Sequence, residues 1–163
     1  MTNTEKLNIK KATKSDAEII LKFIKKLAAY EKLSQDVTAT KDILIETLFG
    51  KDSNAECLIG YYNSRPVCFA LYFYNFSTFK GKRGLYLEDL FVIPEERGKG
   101  FGKQMLIHLA QIAKSKKCGR FEWSVLDWNE PAINFYKKIG AIPLDGWTLY
   151  RLDEEGINNL IES

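Results

Sequence analysis

The stretch Leu85-Tyr86-Leu87-Glu88-Asp89-Leu90-Phe91-Val92-Ile93-Pro94-Glu95-Glu96-Arg97-Gly98-Lys99-Gly100-Phe101-Gly102 decides the fold. Leu85 to Ile93 is the most apolar strand pattern in the chain, and Pro94 ends it because it can neither donate to a ladder nor continue one. A glycine-rich turn follows, Arg97 to Gly102, and then a helix to about Lys117. Met105, Leu106, Leu109, Ile112 and Ala113 form that helix's buried stripe at three- and four-residue spacing. Three glycines in five positions let the backbone approach a bulky group, and the helix N-terminus behind them offers unpaired N–H donors suited to a phosphate or pyrophosphate. The spacing, G-x-G-x-G, is neither a dinucleotide fingerprint nor a Walker A loop, since Lys103 is followed by Gln104. A tight strand-to-helix turn accounts for the same glycines, and on their own both readings stand.

Glu88 and Asp89 interrupt the apolar strand. Adjacent strand residues point to opposite faces unless a bulge intervenes. Burying either carboxylate costs on the order of several kcal/mol unless it is paired or solvated. One of them facing an edge or a lysine is the plain account. An acid at the end of a central strand, just before an anion-binding turn, is also where a base or a cation anchor sits, and Glu88 fits that place.

Outward from this stretch, Leu7 to Ala12 alternates like a strand. Thr13 or Ser15 caps a helix to about Lys32, with Ile19, Ile20, Phe23, Ile24 and Leu27 on one side. Lys41 to Phe49 is a second amphipathic helix, stopped by Gly50. Glu56 to Tyr62 and Pro66 to Phe76 form a hairpin around Asn63-Ser64-Arg65-Pro66. Beyond the central helix, Phe121 to Leu126 is a strand. Asn129 to Ile139 is a helix with an Asn cap and a Pro in its first turn, closed by Gly140. Trp147 to Leu152 is a last strand, and the final ten residues suit a short helix. A leading meander followed by a β-turn-α-β-α-β tail predicts an α/β (α+β) arrangement around one mixed sheet. No linker, repeat or compositional shift divides the 163 residues, so a single domain is expected.

Composition narrows the function. With 45% hydrophobic and 28% charged residues the chain is neither disordered nor low-complexity. A net charge of +3, with short basic clusters at Lys80–Arg83 and Lys114–Lys117, is too weak for a nucleic-acid track. No apolar run approaches a membrane span, and Met1 to Lys6 lacks the apolar core of a secretory signal, so a cytoplasmic protein is expected. Cys57, Cys68 and Cys118 are scattered, which suits reduced, packed thiols and opposes a metal site or a disulfide framework. His108, the sole histidine, falls inside a helix and leaves no Ser-His-Asp triad. In the stretch Val125 to Ala141, Tyr136 lies three residues after Ile133 and three before Ile139. It shares their stripe, as a core aromatic with its hydroxyl at the rim.

Two motifs then resemble a known family. Arg97-x-x-Gly100-x-Gly102 matches the R/Q-x-x-G-x-G/A acetyl-CoA loop of the GNAT-fold N-acetyltransferases. Asn129 to Ala141 is similar to that superfamily's Asn-x-x-Ala/Ser-x-x-Phe-Tyr-x-x-x-Gly-Ala/Phe pattern. Ala28 to Ser34, Tyr86 to Val92 and Asn129 to Tyr136 look like the diamine (spermidine/spermine) and thialysine N-acetyltransferases. The likeness spans roughly Leu7 to Leu152.

The resemblance implies a GNAT fold: a mixed sheet of about six or seven strands flanked by helices, splayed at the central strand. It implies acetyl-CoA as co-substrate, bound by Leu90, Phe91, Val92, Arg97, Gly98, Lys99, Gly100, Phe101, Gly102 and Lys103, with Asn129, Pro131, Ala132 and Tyr136. It also implies Glu88 as a base relay through water, Tyr136 as the acid toward the leaving thiolate, and the Leu90 N–H on the thioester carbonyl. Tyr30, Glu31, Glu88, Asp89 and Asp145 would hold a cationic acceptor, in a homodimer without metal. Polyamine-specific members carry Asp-Pro-Trp before the central strand. Here the loop reads Phe76-Ser77-Thr78-Phe79-Lys80-Gly81, closer to the thialysine branch. Lys80 and Lys82 would repel a polycation or accept an amino acid's carboxylate, so a lysine-like substrate is preferred. A peptide or protein amine as acceptor, and a non-catalytic acetyl-CoA-binding module, are the competing readings.

Overall fold

Alternating side chains and short connections carry the chain through an antiparallel meander before it crosses to a parallel strand. The computed structural model describes residues 5–163. Of the N-terminal stretch read for a secretory signal, Met1 to Thr4 lie outside the described residues. The elements are β1 (Asn8–Lys11), α1 (Ala17–Glu31), α2 (Lys41–Phe49), β2 (Ala55–Tyr62), β3 (Arg65–Ser77), β4 (Lys82–Val92), α3 (Phe101–Ser115), β5 (Arg120–Trp123), α4 (Glu130–Lys138) and α5 (Glu154–Glu162). One mixed sheet runs in the order β1-β2-β3-β4-β5, antiparallel except for the parallel β4–β5 pair. The chain forms two compact units, one ending at Ser124 and one from Val125 to Ser163.

In the first unit, α1 and α2 cover one face of the sheet. Ile20, Leu21, Phe23, Leu44 and Leu48 close over Cys57, Ile59, Phe69 and Phe91. Phe23 stacks on Phe69 with centroids 5.2 Å apart and meets Phe91 edge-on at 6.4 Å. Such pairs add about 0.5–1.5 kcal/mol beyond their burial. The α3 stripe (Phe101, Met105, Leu106, Leu109, Ala113) is buried too, and Phe101 packs on Tyr62 at 5.0 Å. α1 enters through a short 3₁₀ turn, Lys14–Asp16, where the Thr13 backbone N–H donates to the Asp16 carboxylate at 2.8 Å. It leaves at Lys32 in the left-handed region (φ 62°), with Leu33 N–H donating to the Ala28 carbonyl at 2.8 Å.

In the second unit, Asn129 caps α4 by accepting from the Ala132 N–H at 3.4 Å, with Pro131 in the first turn as expected. The expected final strand at Trp147–Leu152 does not form, so the sheet has five strands among the described residues rather than six or seven. The alternation of Trp147, Leu149 and Arg151 is real. A strand, however, needs a ladder partner, and these side chains stand in solvent instead, Trp147 82% and Tyr150 90% exposed. β5 also stops at Trp123 instead of Leu126, because its only strand partner, β4, pairs with it through Leu87 and no further.

Candidate active site

β4 is paired unequally on its two sides. β3 follows it to Val92, whereas β5 accompanies it only over Gly84 to Leu87. From Glu88 onward, the β5 side of β4 is an open edge that pairs with no strand among the described residues. This is the splay expected at the central strand. At the same point the β3–β4 register slips: Leu71 opposes Asp89 and Tyr72 opposes Leu87, leaving Glu88 as the extra residue of a bulge. The bulge resolves the two-carboxylate question. Asp89 shares the face of Phe91 and Leu71, toward α1, while Glu88 is exposed.

The end of α1 carries two of the other expected acceptor residues, Tyr30 and Glu31. Glu31 is half-buried, and desolvation raises its pKa. Desolvation, then the charges of Glu88 and Glu31, lift the Asp89 carboxyl to about 6. Asp89 therefore carries its charge in a partly dry place next to two further carboxylates, a setting that favours a cation or a bound proton. Tyr30 lies under Arg97, whose guanidinium sits 4.5 Å above its ring and 5.4 Å from that of Phe91. Arg97 Nε also donates to the Val92 carbonyl at 3.0 Å. The arginine thus links the end of β4 to α1.

The glycine turn fits an anion by its backbone. Gly98 and Gly100 both hold φ 81°, which disfavours any residue with a Cβ, and a Cβ at either would look into open space. Gly100 caps α3, its carbonyl accepting from the Gln104 N–H at 3.0 Å. A Cβ at Gly102 would meet Val92 Cγ2 at 3.8 Å, so the helix start lies close against β4. The first N–H groups of α3, with Phe101, Gly102 and Lys103 in its first turn, thus stand next to the open edge. Lys80 and Lys82 lie at the opposite end of β4, with Lys82 about 20 Å from Glu88 at ~3.3 Å per residue.

In the second unit, Tyr136 is half-buried on the α4 stripe and packs on Phe135 at 5.6 Å, while Asp127 and Asp145 are exposed. Glu96 was missed from sequence. It is only 7% exposed and holds Arg65 and Lys99 at 2.9 and 2.7 Å. Its burial is compensated by two cations, Lys99 three residues on and Arg65 at the start of β3, and the second of these no local pattern specifies. The cysteines are free thiols. Burial pushes Cys57 and Cys68 up to about 12, as packed, unreactive groups.

With this geometry in hand, residues 22–141 match the model of the Acetyltransferase (GNAT) family. The chain belongs to the GNAT acetyltransferase family. The acetyltransferase is 37% identical to thialysine N-epsilon-acetyltransferase of Bos taurus, over 93% of this chain and 95% of that protein. It is 34% identical to spermidine/spermine N(1)-acetyltransferase-like protein 1 of Homo sapiens, over 94% of this chain but 24% of that longer protein. Among solved structures, an integron cassette protein from the mobile metagenome of V. cholerae superposes with a TM-score of 0.82 at 30% identity, covering 96% of the acetyltransferase and 98% of its own chain. No helix among the acetyltransferase's described residues is long and apolar enough to cross a membrane.

Proposed function

We propose that this enzyme moves the acetyl group of acetyl-CoA to the primary amine of a small cationic acceptor, with a lysine-like amino acid such as thialysine preferred over polyamines. The observation that carries this reading is the open edge of β4 beyond Leu87, flanked by the glycine turn on one side and by Glu31, Glu88 and Asp89 on the other. The thialysine and spermidine/spermine names of the relatives supply the acceptor class.

In this reading Leu90, Phe91 and Val92 pair with the pantetheine through the backbone. The turn from Arg97 to Lys103 takes the pyrophosphate, and Asn129, Pro131 and Ala132 contribute from the start of α4. The ammonium of the acceptor must first lose a proton, which Glu88 accepts through a water and passes to solvent. The amine nitrogen then attacks the thioester carbonyl, whose developing oxyanion is met by the Leu90 N–H. As the C–S bond breaks and the amide forms, the nitrogen's second proton passes through water to solvent, and the CoA sulfur departs as a thiolate that accepts a hydrogen bond from the Tyr136 hydroxyl. A phenol near ~10 facing a thiol near ~8.5 makes full transfer uphill, so Tyr136 contributes chiefly as a hydrogen-bond donor to sulfur. Tyr30, Glu31, Asp89 and Asp145 hold the acceptor's charge. The active form is proposed as a homodimer in the cytoplasm, where its three free thiols stay reduced.

Thiol release measured with thialysine, lysine, ornithine, putrescine and spermidine tests the reading. Thialysine and lysine are expected to give the highest kcat/KM. No thiol release with any amine would remove the catalytic role, and turnover only with peptides would move the acceptor class. Tyr136→Phe is expected to lower kcat about 10- to 100-fold with acetyl-CoA affinity unchanged, whereas an equal kcat would remove the acid role.

A further inference from the structure

The acidic side chain most deeply buried in the first unit takes no part in the chemistry proposed above. Glu96 ends the 3₁₀ turn Pro94–Glu96, immediately before the glycine turn. Its Oε1 accepts from Arg65 Nη2 at 2.9 Å, and its Oε2 accepts from Lys99 Nζ at 2.7 Å. Lys99 also lies 3.6 Å from the Glu5 carboxylate and 4.9 Å from the centroid of Tyr62, the ring that packs on the first residue of α3. One carboxylate therefore ties the β2–β3 turn to both flanks of Gly98. The Lys99 ammonium is drawn toward Tyr62, and its pKa is raised, first by the hydrogen bond to Glu96. The ground in front of Gly98 and Gly100 is left to backbone groups.

Two left-handed glycines two residues apart, Gly98 and Gly100, carry a large conformational entropy to be lost on ordering. A clamp across positions 96 and 99 removes much of that freedom before any ligand arrives, which is how preorganisation raises affinity. Resting on the reading of this turn as the donor site, we propose that Glu96 is a positioning residue for acetyl-CoA. By holding Lys99 and Arg65 it fixes the Gly98–Gly100 turn in the form that receives the pyrophosphate.

The test compares wild type with Glu96→Gln in three readouts: hydrogen exchange of the ligand-free protein, calorimetric binding of acetyl-CoA, and steady-state kinetics. Exchange in segment 97–102 is expected to quicken about tenfold while the α1 and β3 segments keep their rates. Kd and KM for acetyl-CoA should rise about tenfold, with kcat within twofold. Glu96→Asp should recover part of the affinity. Unchanged exchange and Kd in Glu96→Gln, or faster exchange spread over the whole chain, overturns the proposal. Should Glu96→Gln fail to fold, Arg65→Met breaks the same clamp from its accessible side, at a residue outside the donor site, and must show the same local exchange and Kd changes. If wild type binds no acetyl-CoA, the donor-site reading is overturned and the positioning role falls with it. That result is distinct from a wild type that binds and a variant that binds equally well.

Discussion

Asp89 shows how one side chain records the cost of the site. Its carboxyl titrates near 6 in the folded chain because burial, Glu88 and Glu31 all oppose its charge. An aspartate in the unfolded chain titrates near ~3.9. Between those values the folded state holds the extra proton, so stability is fully present below about 4 and falls as pH rises through 6. A shift of this size corresponds to roughly 3 kcal/mol at neutral pH. Asp89→Asn keeps the shape without the charge and is expected to be more stable than wild type by about 1–3 kcal/mol at pH 8 and equal to it at pH 4. Urea denaturation at the two pH values measures this, and a gap that does not widen with pH would contradict it. The same residue marks the limit of sequence legibility. Which of the two acids turns toward α1 follows only once the register slip between Leu71 and Tyr72 is known. Such a slip depends on the partner strand as well as on β4 itself. Glu96 was hidden for the same reason: one of the two cations that compensate its burial is Arg65, thirty-one residues away.

Among the elements, those whose signals are local were the legible ones. Periodicity placed α1, α2 and α3, and Asn129, Pro131 and Gly140 bracketed α4 because caps and breakers act within a turn. Strand ends were less legible. β5 is cut short and 147–152 stays unpaired, since a ladder needs a second strand that no local pattern specifies. The glycine turn is the element on which sequence and structure agree most closely, and it yields a sharp expectation. Gly100→Ala places a Cβ on a residue at φ 81° with nothing to clash against, so the penalty is conformational alone. Helix α3 loses its preferred cap geometry by about 1–2 kcal/mol. Thermal unfolding should fall by ~2–8 °C for a chain of this length, and acetyl-CoA affinity should weaken with it. A variant at wild-type stability would mean that the turn relaxes to a negative φ.

At the scale of the molecule, the open part of β4 and the glycine turn, Glu88 to Lys103, belong to the first unit, and Phe91 of that stretch packs into the core that α1 and α2 close over the sheet. The second unit brings Tyr136 and Asn129 on a short helix whose neighbours are mostly exposed. The packing that holds Glu88 to Lys103 in place therefore comes from the sheet and its covering helices in the first unit. Phe69 lies at the centre of that core, fully buried, stacked on Phe23 and opposite Phe91 in the β3–β4 ladder two residues from Asp89. Replacing it by Ala removes a ring that the surrounding strands cannot collapse to fill, at a cost of about 3–5 kcal/mol. Whole domains are stable by only ~5–15 kcal/mol, and each kcal/mol moves the melting point by ~2–4 °C at this size. Phe69→Ala should thus melt about 6–20 °C below wild type in calorimetry. Because Phe91 and Asp89 lose their backing together, kcat/KM for the amine should also fall, measured well below the new melting point. A variant that melts within 2 °C of wild type would show that the β3–α1 contact is not what holds the site in place.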